Sequence, residues 1–464
     1  MGYKRSRQQG SVVVMMALSM AVLVAAVGLV VDTGVTYMVR DKLNAATDAA
    51  SLAAARAVSQ GKDEATQRAN AQAAAIRFFN ANYPTNYMGS TAKLNAPSVV
   101  FNNGMVTVSV SASATLPVSF LGLLGVSPLT PAVASQAVRK DLDMAVVLDT
   151  SGSLYNQGNN VIASAKTFLN QFNADQDRVG LIHFSYGAVI DDPIRPVARG
   201  FDRASMVRHI NDFDFSGSTA SPEGMFWARQ QLNSVPTSNN NRSNLRVIVF
   251  FSDGAPNSFA SYLTWKTPTD CTKAGVITTD DDSSGTPGGM YRTDVQSAVL
   301  TEQRCNPNYA YGYDRYGRYY YDLDDKASTL PDWYNGHNLE SKPNDINARE
   351  FAVVTDTPRK VTNAVTFTNI NRAARNIVEA MARKSQDEGI YVFTLGLGAA
   401  LKSGTGVDGE KGEDTLKCMA NSTDAPARCF NAAKPVGLYC YAATTSDLTP
   451  CFSKLASAIM RISR

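Results

Sequence analysis

The apolar positions of this chain follow three different patterns. From Ser11 to Val31 they run almost unbroken and without a charge. As a helix that run is long enough to cross roughly 30 Å of hydrocarbon. From Asp32 to Val58 there is no proline, and small residues recur at every fourth position, in one stripe at Ala45, Ala49 and Ala53 and in another at Ala46, Ala50 and Ala54. This predicts that the helix continues beyond the span. The stripes fit either close helix approach or plain high helix propensity. A second helix is predicted over Lys62–Asn80, ended by the turn near Pro84. Ser98 to Thr115 then alternates, with Val100, Met105, Val106, Val108 and Val110 among polar residues, as a β-hairpin around Asn102-Asn103-Gly104 would. Leu116 to Leu124 is an apolar loop, expected to be buried against the membrane-proximal helix or a partner.

Beyond Lys140 the pattern changes again. Short continuous apolar runs, typical of strands buried on both faces, alternate with helical periodicity. The strands are predicted at Met144–Leu148, at Arg178–Ile190 with a turn at Tyr186-Gly187, at Leu245–Phe251 and at Ile390–Leu397. Helices are predicted at Asn160–Phe172, Arg203–Asn211, Pro222–Asn233, Asn369–Lys384 and Leu448–Ile462. This alternation implies an α/β fold with a doubly wound, mostly parallel sheet. The chain therefore divides into a start at 1–10, a span at 11–31, a helical stalk with a small β region at 32–140, and an α/β domain at 141–464. An insertion at about 255–367 interrupts that last domain.

Charge settles the orientation and little else. The net charge is only +3, with no basic cluster of the kind that binds nucleic acid. Lys4, Arg5 and Arg7 precede the span and Asp32 follows it, so the positive-inside rule keeps the N-terminus cytoplasmic and exports the rest. Two competing readings are a cleaved signal peptide, which usually has a shorter apolar core, and a leader cut after Gly10. All six cysteines lie beyond the span, which favours disulfides. Sequence proximity favours Cys271 with Cys305 and two local bridges among Cys418, Cys429, Cys440 and Cys451. Nucleophilic catalysis is not expected: Ser151 is not in a GxSxG elbow, and His183 reads as a structural histidine within a strand. His209 falls on a surface helix and His337 in the insertion. No GxxxxGK[ST] phosphate loop occurs, so the chain is not an ATP-driven motor.

The candidate chemistry sits at strand ends. Asp149, Ser151 and Ser153 follow the first α/β strand in alternate positions, Thr219 lies in the loop Ser216-Gly217-Ser218-Thr219, and Asp253 follows the strand ending at Phe251. In open α/β sheets, ligands bind at that carboxyl edge. The donors are hard oxygens, suited to Mg²⁺, Mn²⁺ or Ca²⁺ and not to zinc or copper. The order Asp149-x-Ser151-x-Ser153, Thr219, Ser252-Asp253-Gly254 resembles the metal-ion-dependent adhesion site of von Willebrand factor A (vWA) domains. The resemblance implies that Asp149, Ser151, Ser153, Thr219 and Asp253 hold the cation, some through water, and that an acidic side chain of a partner completes its coordination.

The N-terminal part carries a second resemblance. Gln9-Gly10-Ser11, the span, Val31-Asp32-Thr33-Gly34 and Asp41-Lys42-Leu43-Asn44-Ala45-Ala46-Thr47-Asp48-Ala49-Ala50 are similar to the TadE/TadG-like proteins of the tight-adherence (Flp) pilus. The strand Val106-Thr107-Val108 and the loop Phe120-Leu121-Gly122-Leu123-Leu124-Gly125 fit the same family. Combined with a vWA domain, the match is to the TadG type. It implies a single-pass protein of the bacterial inner membrane, bulk outside the cytoplasm, whose partners are pilus-assembly proteins or a surface ligand presenting an acidic side chain. Two other classes remain open: an adhesin that binds host or matrix directly, and a structural anchor with an inactive metal site. The insertion holds Asp280-Asp281-Asp282 and a run of tyrosines from Tyr309 to Tyr321. It reads equally as a recognition surface or as a self-packed, disulfide-tied excursion.

Overall fold

The computed structural model describes residues 10–58, 64–102, 105–237, 242–267, 271–279, 287–300, 305, 323–340 and 349–462. It separates into two compact units, residues 1–140 and 141–463.

The first unit is built on one continuous helix, α1 (Gly10–Ala57). Its amino-terminal half exposes apolar side chains from Val12 to Val31, while its carboxyl-terminal half buries Val39, Leu43, Ala46, Ala50 and Ala54 as a single stripe. Of the two alanine stripes, the one through Ala46 is therefore the packed one; Ala45 is exposed. The stripe meets Ala71, Ala75 and Phe79 of α2 (Glu64–Asn82) and the buried face of a four-stranded sheet. In that sheet β3 (Met105–Thr115) is the spine. β1 (Thr91–Leu94) and β2 (Ser98–Asn102) pair end to end along one edge, and β4 (Ala132–Lys140) along the other, all antiparallel. Strand alternation puts Val106, Val108, Val110, Ala112 and Ala114 inward. On β2 the inward residue is Val99, opposite Val108, and Val100 faces solvent, contrary to the sequence expectation. The predicted turn residues Asn103 and Gly104 lie outside the described residues. The Leu116–Leu124 loop packs on α1 as expected, at Gly28 and Asp32, but is buried only in part: Leu116 is buried while Phe120 and Gly122 are exposed.

The second unit is an α/β domain around a six-stranded sheet. Its strands are β5 (Leu142–Asp149), β6 (Arg178–Phe184), β7 (Ala188–Asp192), β8 (Leu245–Ser252), β14 (Ile390–Leu397) and β17 (Tyr439–Ala442), in the spatial order 17-14-8-5-6-7. All pairs are parallel except the β6–β7 hairpin. Successive residues of β5 point to opposite faces. Met144, Val146 and Leu148 pack under α3 (Gly158–Leu169), α4 (Arg203–Asn211) and α9 (Leu448–Ile462). Ala145 and Val147 pack under α5 (Ser221–Ser234) and α7 (Phe367–Asp387). This is the doubly wound, mostly parallel sheet expected. Of the six-stranded sheet and the helices packed on it, two elements went unpredicted: β17, and α8 (Gly412–Ala420), whose Leu416 and Met419 join the α5–α7 face.

The insertion is woven into the core. Strands β9 (Ser258–Ser261), β11 (Gly275–Thr279) and β12 (Pro287–Tyr291) form an antiparallel sheet; β10 (Thr264–Trp265) pairs with β13 (Ala327–Thr329), which follows the short helix α6 (Leu323–Lys326). Phe259, Ile277, Met290, Tyr334 and Phe351 are buried in the same cluster as α5 and α7. Disulfides link Cys271–Cys305, Cys418–Cys429 and Cys440–Cys451, as sequence proximity favoured. Asp280-Asp281-Asp282 and the tyrosines from Tyr309 to Tyr321 lie outside the described residues. A last hairpin, β15 (Gly404–Thr405) with β16 (Glu410–Lys411), precedes α8.

Candidate metal centre

Asp149 is the last residue of β5, and the chain leaves the sheet there in a short turn before α3. Neighbouring backbone fixes the turn. The Thr150 N–H donates to the Phe184 carbonyl at 2.9 Å and the Gly152 N–H to the Gly217 carbonyl at 3.0 Å. Gly217 has φ +85°, and a Cβ there would overlap the Ser185 hydroxyl, so only glycine fits where this loop crosses the site.

Around this turn the five predicted donors converge. The Asp149 carboxylate is fully buried; it accepts the Ser151 N–H at 2.8 Å and the Ser252 hydroxyl at 2.6 Å. Ser151 and Ser153 share a hydroxyl–hydroxyl hydrogen bond of 3.1 Å, and the Ser153 hydroxyl donates to Asp253 at 2.8 Å. Thr219 reaches the site from the loop before α5. Its backbone is clamped by Asn257, whose Oδ1 accepts the Thr219 N–H at 2.9 Å while its own N–H donates to the Thr219 carbonyl at 3.2 Å. A cavity of about 290 Å³ opens over Ser151, Ser153, Thr219 and Asp253, with Asn371 and Arg375 of α7 on its lining.

Electrostatics show what the cluster lacks. Burial raises the pKa of Asp149 well above the usual carboxylate range, and hydrogen bonds from Ser151 and Ser252 pull it only part of the way back. Asp253 is raised as well, by burial first and then by the charge of Asp149. Among the described residues neither carboxylate is paired with a lysine, arginine or histidine. One buried and one half-buried carboxylate with three hydroxyls, neither carboxylate ion-paired, form a hard-oxygen set that fits a divalent ion of the Mg²⁺, Mn²⁺ or Ca²⁺ kind. No group of three His, Cys, Asp or Glu suited to a metal occurs among the described residues.

Sequence reasoning missed three neighbours. Ser252 stood in the motif without a role, and it holds Asp149. Asn257 orients Thr219 from the first residues of the insertion. Asn371, on the far wall, buries an Oδ1 that has no hydrogen-bond partner. The histidines stand apart from this cluster: His183 pairs with Asp191 and His209 with Asp192, both at 2.8 Å.

Residues 143–280 match the family model of the von Willebrand factor type A domain, and residues 10–57 match that of Flp pilus-assembly TadE/G-like proteins. The chain has a TadG-like architecture. No curated protein matches it. Among solved structures, the pilus adhesin SpaC from Lactobacillus rhamnosus GG in its open conformation is similar, at 16% identity and TM-score 0.36 over 80% of this chain. The chain spans about a third of SpaC's length, the match covering 34% of it. The vWF domain of a type V pilus tip protein from Porphyromonas gingivalis matches at 15% identity and TM-score 0.37, covering 71% of this chain and 98% of that one. Proximal thread matrix protein 1 from the mussel byssus, described with a zinc-occupied MIDAS motif, matches at 11% identity and TM-score 0.33, covering 69% of this chain and 46% of that one.

Proposed function

We propose that this chain is a membrane-anchored, non-catalytic binding component of the Flp pilus-assembly system. In this reading its vWA domain holds a divalent cation, Mg²⁺ or in its place Mn²⁺ or Ca²⁺, on Asp149, Ser151, Ser153, Thr219 and Asp253. One observation carries it: the buried Asp149 and the half-buried Asp253, linked through Ser151 and Ser153 and neither ion-paired to a lysine, arginine or histidine among the described residues, at an open cavity. When bound, a divalent metal would supply a Lewis-acidic position with spare anionic capacity. An acidic side chain from a partner, a pilus-assembly protein or a surface ligand, suits that position. The chain's own contribution is to position it. Ser252 and the Ser151 amide hold Asp149 in place, Asn257 fixes Thr219, and Gly217 keeps the loop close. In this reading the apolar run Ser11–Val31 serves as a single span of the bacterial inner membrane, N-terminus cytoplasmic, which its length and the basic residues before it support.

The test is genetic. Asp149→Ala, produced at wild-type level in the membrane, is expected to abolish piliation and surface adhesion. Unchanged piliation and adhesion would instead make the chain a structural anchor with an idle site. Antibody to the insertion that labels intact cells would move the reading towards a surface adhesin.

A further inference from the structure

The loop after β3 is held in an unusual way. Leu116 and Leu129 close its neck with reciprocal backbone hydrogen bonds of 2.8 and 3.0 Å. At its tip the Ser119, Phe120 and Leu121 amides donate to the Asp32 carboxylate at 3.2, 3.1 and 2.8 Å. Asp32 is the first charged residue after the apolar run, and it is only 5% exposed. One helical turn earlier, about 6 Å back along α1, Phe120 lies directly on Gly28, where any Cβ would overlap its own. The loop tip therefore lies beside the last turn of the apolar run and not beyond it.

Its surface chemistry matches that place. No charged residue occurs between Lys93 and Arg139. Phe120 and Val126, at the tip, are 38% and 39% exposed. Five backbone donors there are satisfied internally: besides the three on Asp32, the Gly125 N–H donates to Gly122 and the Val126 N–H to Leu121, both at 3.1 Å. Irregular backbone tolerates a lipid boundary only when its polar groups are paired within the protein. The Asp32 carboxylate, costly at that depth by itself, is paired by the same contacts.

We propose that the loop Pro117–Val126 is a second membrane contact, seating Phe120 and Val126 in the acyl–headgroup boundary of the leaflet outside the cytoplasm. The anchor is then a helix with a wedge beside it, and the wedge fixes how far α1 sinks. This rests on reading Ser11–Val31 as a span. The lipid surface is favoured over a protein partner because the patch is continuous with the exposed apolar face of α1.

The test uses the full chain in phosphatidylcholine vesicles. All six native cysteines are disulfide-bonded, so a nitroxide can be attached at one introduced thiol at a time, in Phe120→Cys, Val126→Cys, Val22→Cys or Val100→Cys. Collision with oxygen against collision with a water-soluble nickel chelate reports depth. The ratio of oxygen to chelate collisions at positions 120 and 126 is expected to exceed that at position 100 several-fold, approaching position 22. Values at 120 and 126 equal to that at 100, with 22 lipid-exposed, overturn the wedge alone. A value at 22 equal to that at 100 overturns the span and the wedge together.

Discussion

Glu223 enters the core from the first turn of α5 with its carboxylate fully buried. Burial pushes its pKa from 4.5 up to about 7, and the hydrogen bonds it accepts from the Ala260 N–H and the Tyr334 hydroxyl only partly oppose that. The folded state thus holds this proton more tightly than the unfolded chain does. Its contribution to stability is complete below the unfolded pKa and is lost as pH rises through the folded one, up to about 3 kcal/mol. Glu223→Gln still accepts the Ala260 N–H on Oε1, turns its amide N–H to the Tyr334 hydroxyl as a donor, and removes the titration. Denaturant unfolding at pH 5 and pH 8 is expected to show a smaller pH dependence in the variant, and an unchanged one would contradict this. Gly217→Ala meets both the positive φ and the Ser185 hydroxyl, and a loss of about 1–3 kcal/mol in unfolding free energy is expected. The raised Asp149 and Asp253 have their own consequence: a cation bound as proposed would have to displace protons there, so its affinity is expected to fall as pH falls, checked by Mg²⁺ titration at two pH values. That Asp149, Ser151, Ser153, Thr219 and Asp253 lie together was legible because their order after apolar strands resembles a known motif. Asn371 was not, because it is more than a hundred residues from the others and on the buried face of an ordinary helix.

At the scale of elements the insertion shows where sequence reasoning stopped. Long loops and turn residues marked 255–367 as an excursion, and its cysteines were paired correctly by proximity. What the sequence hid is that its apolar residues share a core with α5 and α7: Phe259 is fully buried there, and Arg229 of α5 binds Glu350 of the insertion at 2.7 Å. Phe259→Ala is expected to destabilise the vWA domain by about 3–5 kcal/mol, read from the denaturation midpoint. A loss below 1 kcal/mol would mean that the insertion merely rests on the domain. β17 and α8 escaped for a different reason. A four-residue strand is too short for alternation to stand out, and both elements are defined by their packing against β14. The long elements β14 and α9 fell within a residue of their expected ends because buried runs of that length admit one reading.

The whole molecule joins a helix with an exposed apolar half to an α/β domain with a cluster of hard-oxygen donors at the carboxyl edge of its sheet. Its order along the chain was legible, since hydropathy and strand–helix alternation are read locally. If the cluster takes a cation, the folded state is stabilised by mass action, by about 2.7 kcal/mol at a metal concentration a hundred times the Kd. Chelation by EDTA is then expected to lower the melting temperature of the wild type and leave that of Asp149→Ala unmoved. Calorimetric titration of Mg²⁺ and Mn²⁺ into the full chain in detergent, wild type beside Asp149→Ala, tests the central claim most directly. Saturable heat from a single site in the wild type, lost in the variant, is the predicted result; equal heats in the two proteins, or none in either, would contradict it.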